Sequence, residues 1–203
     1  MTDLRSRKRQ LRAEAELLRQ SLKAATPDAG AHAADLLLGR VQAESRRADD
    51  GIWRPGATIS TYHPRGSEME TAALNQALID AGYDLALPVV LGRGHPLAFR
   101  RYRPFDALMK GLLDVMEPLP AAPIITPRIL LVPLLAFDRQ GNRLGYGGGQ
   151  YGRTVALFRR ESLIQAVGIA FAGQEMAAIP IGVTDAPLDW IVTEQEAFRC
   201  RTA

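Results

Sequence analysis

The chain has 203 residues, of which 47% are hydrophobic, so it can bury one substantial core and we expect a single domain spanning residues 1–203. Its formal net charge of +3 is too small to indicate a nucleic-acid partner by itself, and its one cysteine, Cys200, excludes an internal disulfide framework. The N-terminal stretch carries charges throughout, and the longest apolar run, near residues 129–137, is too short to span a bilayer. We therefore expect a cytoplasmic protein.

The first segment, residues 3–25, is rich in Leu, Ala, Glu and Arg, with leucines at helical spacing, and predicts an amphipathic helix. Its polar face carries the basic residues Arg5, Arg7, Lys8, Arg9 and Arg12. Two interpretations stay open: these side chains form a solvated face paired with Glu14 and Glu16, or some of them reach an anionic ligand. A second helix is predicted after the capping residues 26–28, as far as the charged stretch 44–50.

Residues 57–62 predict a short strand, and the loop 63–67 follows at its carboxyl end. In open α/β sheets this end of a strand is where ligands are contacted. A helix is predicted from residue 67 or 68 to a stop at Gly82. Glu68 and Glu70 would then lie in its first turn, where acidic residues commonly favour the helix dipole; binding a ligand is the alternative.

The remaining segments alternate between strand and helix patterns. Residues 84–91 and 97–102 predict a β-hairpin, 106–115 a short helix, and 130–137 a buried strand. Further segments predict a helix at 154–161, a strand at 163–171, a helical turn at 174–178, and short strands at 179–183 and 190–193. This alternation predicts a three-layer, Rossmann-like α/β fold: a mostly parallel, mixed sheet with helices on both faces.

The strongest functional signal lies within residues 130–153. A strand-like run is followed by a turn at 138–142 and then by a glycine cluster before a helical pattern resumes; the glycines are Gly145, Gly147, Gly148, Gly149 and Gly152. Glycines let backbone N–H groups approach an anion, and a helix N-terminus favours negative charge, so the loop suits a phosphate. Arg143 and Arg153 flank it and supply positive charge. A flexible glycine turn is the alternative interpretation.

Two common nucleotide-binding motifs do not account for this loop. A Walker A loop requires Lys followed by Ser or Thr after its last glycine, whereas Gly149 is followed by Gln150 and Tyr151. Residues 147–152 match G-x-G-x-x-G, but they lie late in the chain and no acidic residue closes a following strand. The pattern therefore argues against P-loop chemistry and gives little support to a dinucleotide site.

Several short motifs follow one another in a fixed order along the chain: Lys8-Arg9-Gln10-Leu11-Arg12, Tyr62 with Ser67-Glu68-Met69-Glu70-Thr71, Ala86-Leu87-Pro88, Glu117-Pro118, Val132-Pro133-Leu134-Leu135-Ala136-Phe137-Asp138 with Gly141-Asn142-Arg143-Leu144-Gly145-Tyr146-Gly147-Gly148-Gly149, and Asp185-Ala186-Pro187-Leu188-Asp189 before Thr193-Glu194. In these motifs the chain resembles the 5-formyltetrahydrofolate cyclo-ligase family, also called methenyltetrahydrofolate synthetases, over nearly its whole length. The Arg-Leu-Gly-x-Gly-x-Gly block, in this order with the others, is highly specific.

The resemblance implies an ATP- and Mg²⁺-dependent conversion of 5-formyltetrahydrofolate to 5,10-methenyltetrahydrofolate, with release of ADP and phosphate after phosphorylation of the formyl oxygen. By matching position, it implies nucleotide contacts from Lys8, Arg9, Gln10, Leu11, Arg12, Arg143, Leu144, Gly145, Tyr146, Gly147, Gly148, Gly149, Gln150 and Tyr151. It implies folate contacts from His63, Glu68, Tyr146, Gly147, Gly148, Gly149 and Gln150. Asp185 would face Mg²⁺, and Arg143, Tyr151 and Arg153 would act in catalysis. We expect a monomer whose partners are ATP and a reduced folate, without nucleic acid or membrane.

Two positions depart from the family's pattern. After the glycines the family usually reads Tyr-Tyr-Asp-Arg, whereas this chain has Gln150-Tyr151-Gly152-Arg153 and so lacks a carboxylate that the family associates with Mg²⁺. Thr184 stands where the family often has His. An active cyclo-ligase is the leading hypothesis, and a relative that binds folate or nucleotide without efficient turnover is the second. An RNA-binding module using the basic first helix comes last, because interleaved aromatics and a nucleic-acid motif are lacking.

Overall fold

The computed structural model describes residues 2–47, 51–182 and 185–201. Its α-helices are α1 (Thr2–Ala25), α2 (Ala29–Leu36), α3 (Ala43–Arg47), α4 (Ala72–Asp80) and α5 (Gln150–Glu161), with a π-helical segment at Leu37–Gln42 and 3-10 turns at Leu112–Asp114 and Ala172–Gln174. Its strands are β1 (Thr58–Ser60), β2 (Asp84–Val90), β3 (Leu97–Tyr102), β4 (Leu108–Lys110), β5 (Met116–Pro118), β6 (Ile129–Pro133), β7 (Ala136–Phe137), β8 (Arg143–Leu144), β9 (Gln165–Ile169), β10 (Trp190–Val192) and β11 (Ala197–Arg199).

A seven-stranded sheet in the order β11-β10-β9-β6-β1-β2-β3 forms the centre of the molecule. The strands from β10 to β2 run parallel, and antiparallel β11 and β3 close the two edges. The chain builds β2 and β3 on one side of β1 and then crosses to β6 on the other side. The strand order therefore reverses between β1 and β6, and the carboxyl ends of strands at such a reversal are where α/β sheets bind ligands.

Both faces of the sheet are covered, as β6 shows. Ile129 and Leu131 pack into one apolar core, and the alternate residues Leu130 and Val132 pack into another. The first core lies under α2 and α4, and the second lies under α5. The predicted three-layer α/β fold with a mostly parallel, mixed sheet is confirmed. No helix in the described residues is long and apolar enough to cross a membrane.

The helix predicted from residue 67 or 68 begins instead at Ala72. The segment before it folds back on the end of β1: the Thr71 hydroxyl donates to the Tyr62 carbonyl at 3.1 Å, and the Tyr62 hydroxyl donates to the Met69 carbonyl at 3.2 Å. These tertiary hydrogen bonds override the helical composition. Glu68 and Glu70 therefore precede the helix, and their interpretation as first-turn acids was wrong.

The short helix predicted at 106–115 was also wrong. This segment forms β4 and the bend of an antiparallel hairpin with β5. The bend contains Leu113 and Asp114 at φ of 60° and 58°, which an α-helix does not accommodate. Glu117 fixes the hairpin on the sheet, because its carboxylate accepts the N–H of Val90 at 2.9 Å. Sheet contacts thus decide the conformation here.

Several boundaries differ from the predictions. The second helix continues past residue 44 to Arg47 through the π-helical segment, and α5 begins at Gln150 instead of residue 154. The strand predicted at 179–183 is absent from the described part, 179–182; residue 183 lies outside the described residues, as does Thr184. The predicted helical turn lies earlier, at Ala172–Gln174, and β11 was missed.

Candidate functional site at the carboxyl ends of β1 and β6

Helix α1 lies across the loops that leave the carboxyl ends of β1 and β6. The Arg19 guanidinium donates from Nε to Ser67 Oγ and from Nη1 to the Leu134 carbonyl, both at 3.0 Å. Arg12 Nε donates to the Gly145 carbonyl at 2.8 Å. One helix therefore contacts the loop after β1, the end of β6 and the glycine loop, which we define as residues 145–149.

The cations of α1 divide into two groups. Lys8, Arg12, Arg19 and Lys23 recur at helical spacing on the face that meets the loops. Lys8 Nζ lies 2.5 Å from Asp185 Oδ2, and Lys23 Nζ lies 2.5 Å from Glu70 Oε1. Arg5, Arg7 and Arg9 are exposed, so the solvated-face interpretation describes these three only.

Backbone geometry requires glycine at two positions of the glycine loop. Gly147 and Gly149 have φ of 102° and 68°, in the left-handed region that other residues rarely adopt. A Cβ at Gly147 would stand 3.2 Å from Arg12 Cζ, and one at Gly149 would stand 2.6 Å from Arg153 Nη1. Because Gly149 immediately precedes α5, the free N–H groups of the first helical turn adjoin the loop.

Three guanidinium groups bond to backbone carbonyls around this loop. Arg12 donates to Gly145, Arg143 to Ala186 at 2.5 Å, and Arg153 to Gly148 at 2.8 Å; these are carbonyl oxygens in each case. Within the described ranges, none of the three arginines lies within ion-pair distance of a carboxylate. Their charge is therefore available to an anionic ligand.

Arg143 shows the electrostatic consequence most clearly. Burial lowers the pKa of Arg143 to about 10, and the nearby Asp185 carboxylate only partly offsets that effect. Burial also lowers the pKa of Arg12, again opposed by Asp185. Both shifts mean that the surroundings solvate these charges poorly in the absence of a ligand. A bound polyphosphate would compensate them.

Glu68 lies on the other side of the site, and its side chain is only 5% exposed. Its Oε2 accepts the backbone N–H of Arg65 at 2.9 Å, and its Oε1 lies 3.9 Å from Arg19 Nη1. Burial raises the pKa of Glu68, whereas the Arg65 N–H and the Arg19 charge lower it. Glu68 is thus a desolvated acceptor whose burial these neighbours compensate only in part.

Three tyrosines surround this carboxylate. Burial raises the pKa of Tyr62, Tyr146 and Tyr151, and the Glu68 charge raises each of them further. The buried Tyr151 hydroxyl and the buried Gln150 Nε2 have no hydrogen-bond partner within the part of the chain described. Buried polar groups are normally satisfied, so these two donors are suited to hydrogen-bond a polar ligand.

The structure brings some of the residues implied by the resemblance to the site and leaves others outside it. The side chains of Arg9 and Gln10 are exposed, and Gln10 bonds to Glu14 at 2.9 Å. Leu11 packs beside an apolar cluster that includes buried Leu144. His63 is exposed on the loop after β1. Lys8, Arg12, Arg143, Arg153, Glu68, Tyr146, Gln150, Tyr151 and Asp185 lie on the converging loops and helices.

Arg19 was not among the site residues predicted from the sequence, although it is 1% exposed and contacts three of the converging segments. Its spacing from Lys8 and Arg12 keeps it on their face of α1, and this spacing was the available signal. A motif comparison does not draw attention to it, because it lies outside the Lys8–Arg12 block.

The residues present fit a magnesium ion only in part. Asp185 Oδ2 accepts from Lys8 Nζ and from the N–H of Gly182 at 2.8 Å. In the described ranges there is no group of three or more His, Cys, Asp or Glu side chains suited to a metal. Mg²⁺ is commonly held by one or two carboxylates together with phosphate oxygens and water. Asp185 therefore suits Mg²⁺ that arrives with a nucleotide.

The chain is similar to known proteins over most of its length. The model of the 5-formyltetrahydrofolate cyclo-ligase family matches residues 4–194. The 5-formyltetrahydrofolate cyclo-ligase of Haemophilus influenzae is 35% identical over 140 residues, which cover 66% of this chain and 74% of that protein. The enzyme of the same name from Mycolicibacterium smegmatis is 33% identical over 156 residues, which cover 73% of this chain and 79% of that protein.

Solved structures show the same architecture. The NMR structure of 5,10-methenyltetrahydrofolate synthetase from Aquifex aeolicus matches with a TM-score of 0.69 at 24% identity, covering 97% of this chain and 94% of that one. The synthetase from Mycoplasma pneumoniae matches with a TM-score of 0.66 at 18% identity, covering 92% and 98%. The similarity places the protein among enzymes of the ligase class. The chain belongs to the 5-formyltetrahydrofolate cyclo-ligase family.

Proposed function

We propose that the protein converts 5-formyltetrahydrofolate to 5,10-methenyltetrahydrofolate, using ATP and Mg²⁺ and releasing ADP and phosphate, as a monomer in the cytoplasm. The main observation in favour of this proposal is that one site has a positively charged end and an end with a buried carboxylate. Arginines without a carboxylate partner among the described residues rim the glycine loop, and the buried Glu68 carboxylate lies beside Tyr146 of that same loop. Such a site suits a polyphosphate at one end and a ligand rich in N–H donors at the other.

At the polyphosphate end, the chain supplies positive charge and groups that would align the phosphates. ATP would provide the phosphoryl group that makes the formyl oxygen a leaving group. Lys8, Arg12 and Arg143 would neutralise phosphate charge, and the first-turn N–H groups of α5 would donate hydrogen bonds to the remaining phosphate oxygens. Arg153, at the edge of the loop, would stabilise charge that develops during transfer. Alignment and charge neutralisation are therefore the main tasks of these residues.

At the folate end, Glu68 would accept hydrogen bonds from the pterin N–H groups. The Tyr151 hydroxyl, for which the resemblance implies nucleotide contact and catalysis, would also find a partner there, because it is buried near Glu68 and lacks one among the described residues. Tyr146, with 47% of its surface exposed, would offer a ring face to the ligand. Asp185 would orient Mg²⁺ together with phosphate oxygens.

A family member that binds both ligands with little turnover is the second candidate. It is favoured by one observation: Gly152 replaces the acidic residue of the family's pattern, so that Asp185 is the carboxylate left to face the metal. Absorbance of methenyltetrahydrofolate, measured with ATP and Mg²⁺ and with each omitted, separates the two. Product that depends on both supports an active enzyme. Tight binding of ATP and 5-formyltetrahydrofolate without product supports the second candidate, and failure to bind either excludes both.

Truncation of the α1 cations tests the nucleotide end. We expect Arg12→Ala and Lys8→Ala each to raise the KM for ATP by about 10–100-fold, because a charge-assisted hydrogen bond contributes roughly 1.5–3 kcal/mol. The KM for folate should change by less than about threefold, an amount worth under roughly 0.7 kcal/mol. Arg7→Ala is the matched control, since it removes the same charge from an exposed position of the same helix. Equal effects on both substrates would contradict the assignment.

Restoring an acid at residue 152 tests the metal assignment. Gly152 lies in the first turn of α5 with ordinary helical backbone, so the substitution brings no left-handed strain, and an acid there also favours the helix dipole. We expect Gly152→Asp to lower the Mg²⁺ concentration for half-maximal turnover by about three- to tenfold, corresponding to roughly 0.7–1.4 kcal/mol. Gly152→Asn controls for volume at this buried site. A thermal melt checks folding, and an unchanged Mg²⁺ profile in a stable variant would show that the position does not govern the metal.

A further inference from the structure

Arg19 joins four parts of the molecule through one side chain. Its guanidinium donates to Ser67 Oγ in the loop after β1, to the Leu134 carbonyl at the end of β6, and to the Tyr146 hydroxyl in the glycine loop. It also lies 3.3 Å from Glu16 on its own helix. Only a planar group with several fixed donors satisfies so many acceptors at once.

The same side chain governs the surroundings of both residues assigned to the folate. Arg19 Nη1 is 3.9 Å from Glu68 Oε1, and Arg19 Cζ is 5.3 Å from the centre of the Tyr146 ring. Arg65 Cζ lies 5.8 Å from the centre of the same ring, so two guanidinium groups lie close to Tyr146. Because Arg19 is 1% exposed, it acts on a bound ligand through these two side chains and not by direct contact.

We propose that Arg19 is a positioning residue for folate recognition: it holds the Tyr146 ring and the Glu68 carboxylate in place and supplies the buried positive charge that keeps Glu68 ionised. The proposal rests on the proposed role of Glu68 in binding folate. It adds a residue that touches neither ligand, and it explains why a fully buried guanidinium stands at the meeting point of the loops.

The charged and titratable groups around Glu68 determine in which direction its pKa should change when Arg19 is replaced. Those that face it are Arg19 and Glu16 from α1, Arg65 from its own loop, Tyr62 from the end of β1, Tyr146 from the glycine loop and Tyr151 from α5. Of the two arginines, Arg65 is exposed and its charge is screened by water, whereas Arg19 is buried. Removing the Arg19 charge would therefore raise the pKa of Glu68, so that Glu68 becomes protonated at a higher pH and folate recognition is lost there.

The test measures kcat and both KM values against pH for Arg19→Gln and Arg19→Lys. The acid limb is the fall of kcat/KM for folate toward low pH. For Arg19→Gln we expect this fall to begin about one pH unit higher, so that kcat/KM on the acid limb is about tenfold lower than in the wild type. The KM for ATP should be nearly unchanged. Arg19→Lys keeps the positive charge but loses the planar set of several donors. Its acid limb should therefore stay near that of the wild type, while its KM for folate rises several-fold. A purely structural role would move neither the limb nor the ratio of the two KM values.

A Glu68→Gln background separates this inference from the proposed function. Because Arg19 supplies charge to Glu68, adding Arg19→Gln to Glu68→Gln should leave the acid limb unmoved, and the several-fold rise in the KM for folate that remains is the part that acts through Tyr146. An acid limb that still moves in the Glu68→Gln background would overturn the inference, as would an unmoved acid limb in Arg19→Gln alone. Should Arg19→Gln fail to fold, Arg19→Lys decides: wild-type kcat and KM for folate at every pH would overturn the inference. An inactive wild type, or a Glu68→Gln variant with unchanged folate affinity, would instead overturn the proposed role of the site.

Discussion

Replacing Arg143 by Met should lower kcat by about 10²–10³-fold, the usual effect of removing one group that stabilises transition-state charge. Arg143 lies in β8, just before the glycine loop, and its guanidinium donates to a backbone carbonyl, which leaves its charge for a ligand. A methionine of similar length preserves packing but carries no charge. The loss should appear in kcat and in kcat/KM for both substrates, because the transferred phosphoryl group lies between them.

The same substitution should stabilise the ligand-free protein. Burial lowers the pKa of Arg143 to about 10, so the folded state disfavours the charged form. Below pH 10 the residue is charged in the folded and the unfolded chain, and its burial costs its full amount of stability there; the cost falls progressively as the pH rises from about 10 toward the ordinary pKa of the guanidinium. We therefore expect the melting temperature of Arg143→Met at pH 7 to rise by about 2–4 °C, which corresponds to roughly 1 kcal/mol in a chain of this size.

Arg159→Met provides the matched control. Arg159 lies in α5 and is paired with Asp189 at 2.9 Å, so its removal breaks an ion pair and leaves a carboxylate without its partner. Its melting temperature should fall while kcat stays near that of the wild type. If both variants lose stability equally, the charge of Arg143 is compensated in the ligand-free protein and its assignment to the nucleotide end is contradicted.

Glu68→Gln should raise the KM for folate by about 10–100-fold while the KM for ATP stays within about threefold, because hydrogen bonds to a charged acceptor contribute roughly 1.5–3 kcal/mol. A carboxylate accepts two N–H donors at once, whereas the amide of Gln offers one acceptor and turns an N–H toward the second donor. Sites built to pair a polar group discriminate strongly when one partner is changed.

Two controls distinguish this role from a general disturbance of the loop. Glu70→Gln changes the same chemistry two residues further along, at an exposed side chain paired with Lys23, and should leave the KM for folate within about twofold, or roughly 0.4 kcal/mol. Burial raises the pKa of Glu68, so the ionised carboxylate costs stability above that pKa; the Gln variant should melt no lower than the wild type at neutral pH. A lower melting point together with equal losses for both substrates would make Glu68 a structural residue.

The sequence predicted those features that depend on neighbouring residues along the chain. The continuous apolar run at residues 129–133 indicates a strand buried on both faces, and β6 is such a strand. The clustered glycines indicate a tight loop before a helix, and Gly149 adopts the left-handed backbone directly before α5. Local composition is sufficient in both places because the backbone itself imposes the requirement.

The errors lie where distant contacts decide. Residues 67–71 have helical composition, but hydrogen bonds to Tyr62 hold them against β1. Residues 106–115 form part of a hairpin because Glu117 bonds to Val90 in another strand. Arg19 was missed because the spacing of charges on a helix defines a face but not what that face meets. The identity of each ligand and the choice of Mg²⁺ likewise came from the resemblance and not from the spacing of residues.

The strand order has a consequence for how the molecule folds. The hairpin of β2 and β3 forms between near neighbours in the sequence, but β1 pairs with β6 across a long separation, at Ile59 and Ile129. Closing such a long loop slows folding, and parallel pairing between distant segments is characteristically late. Several partners of α1, at Leu134, Gly145 and Tyr146, also lie in the second half of the chain, although Ser67 and Glu70 do not. We therefore expect α1 to dock after β6 has joined the sheet, and hydrogen exchange during refolding should show protection at β2 and β3 before it appears at the loops that α1 covers.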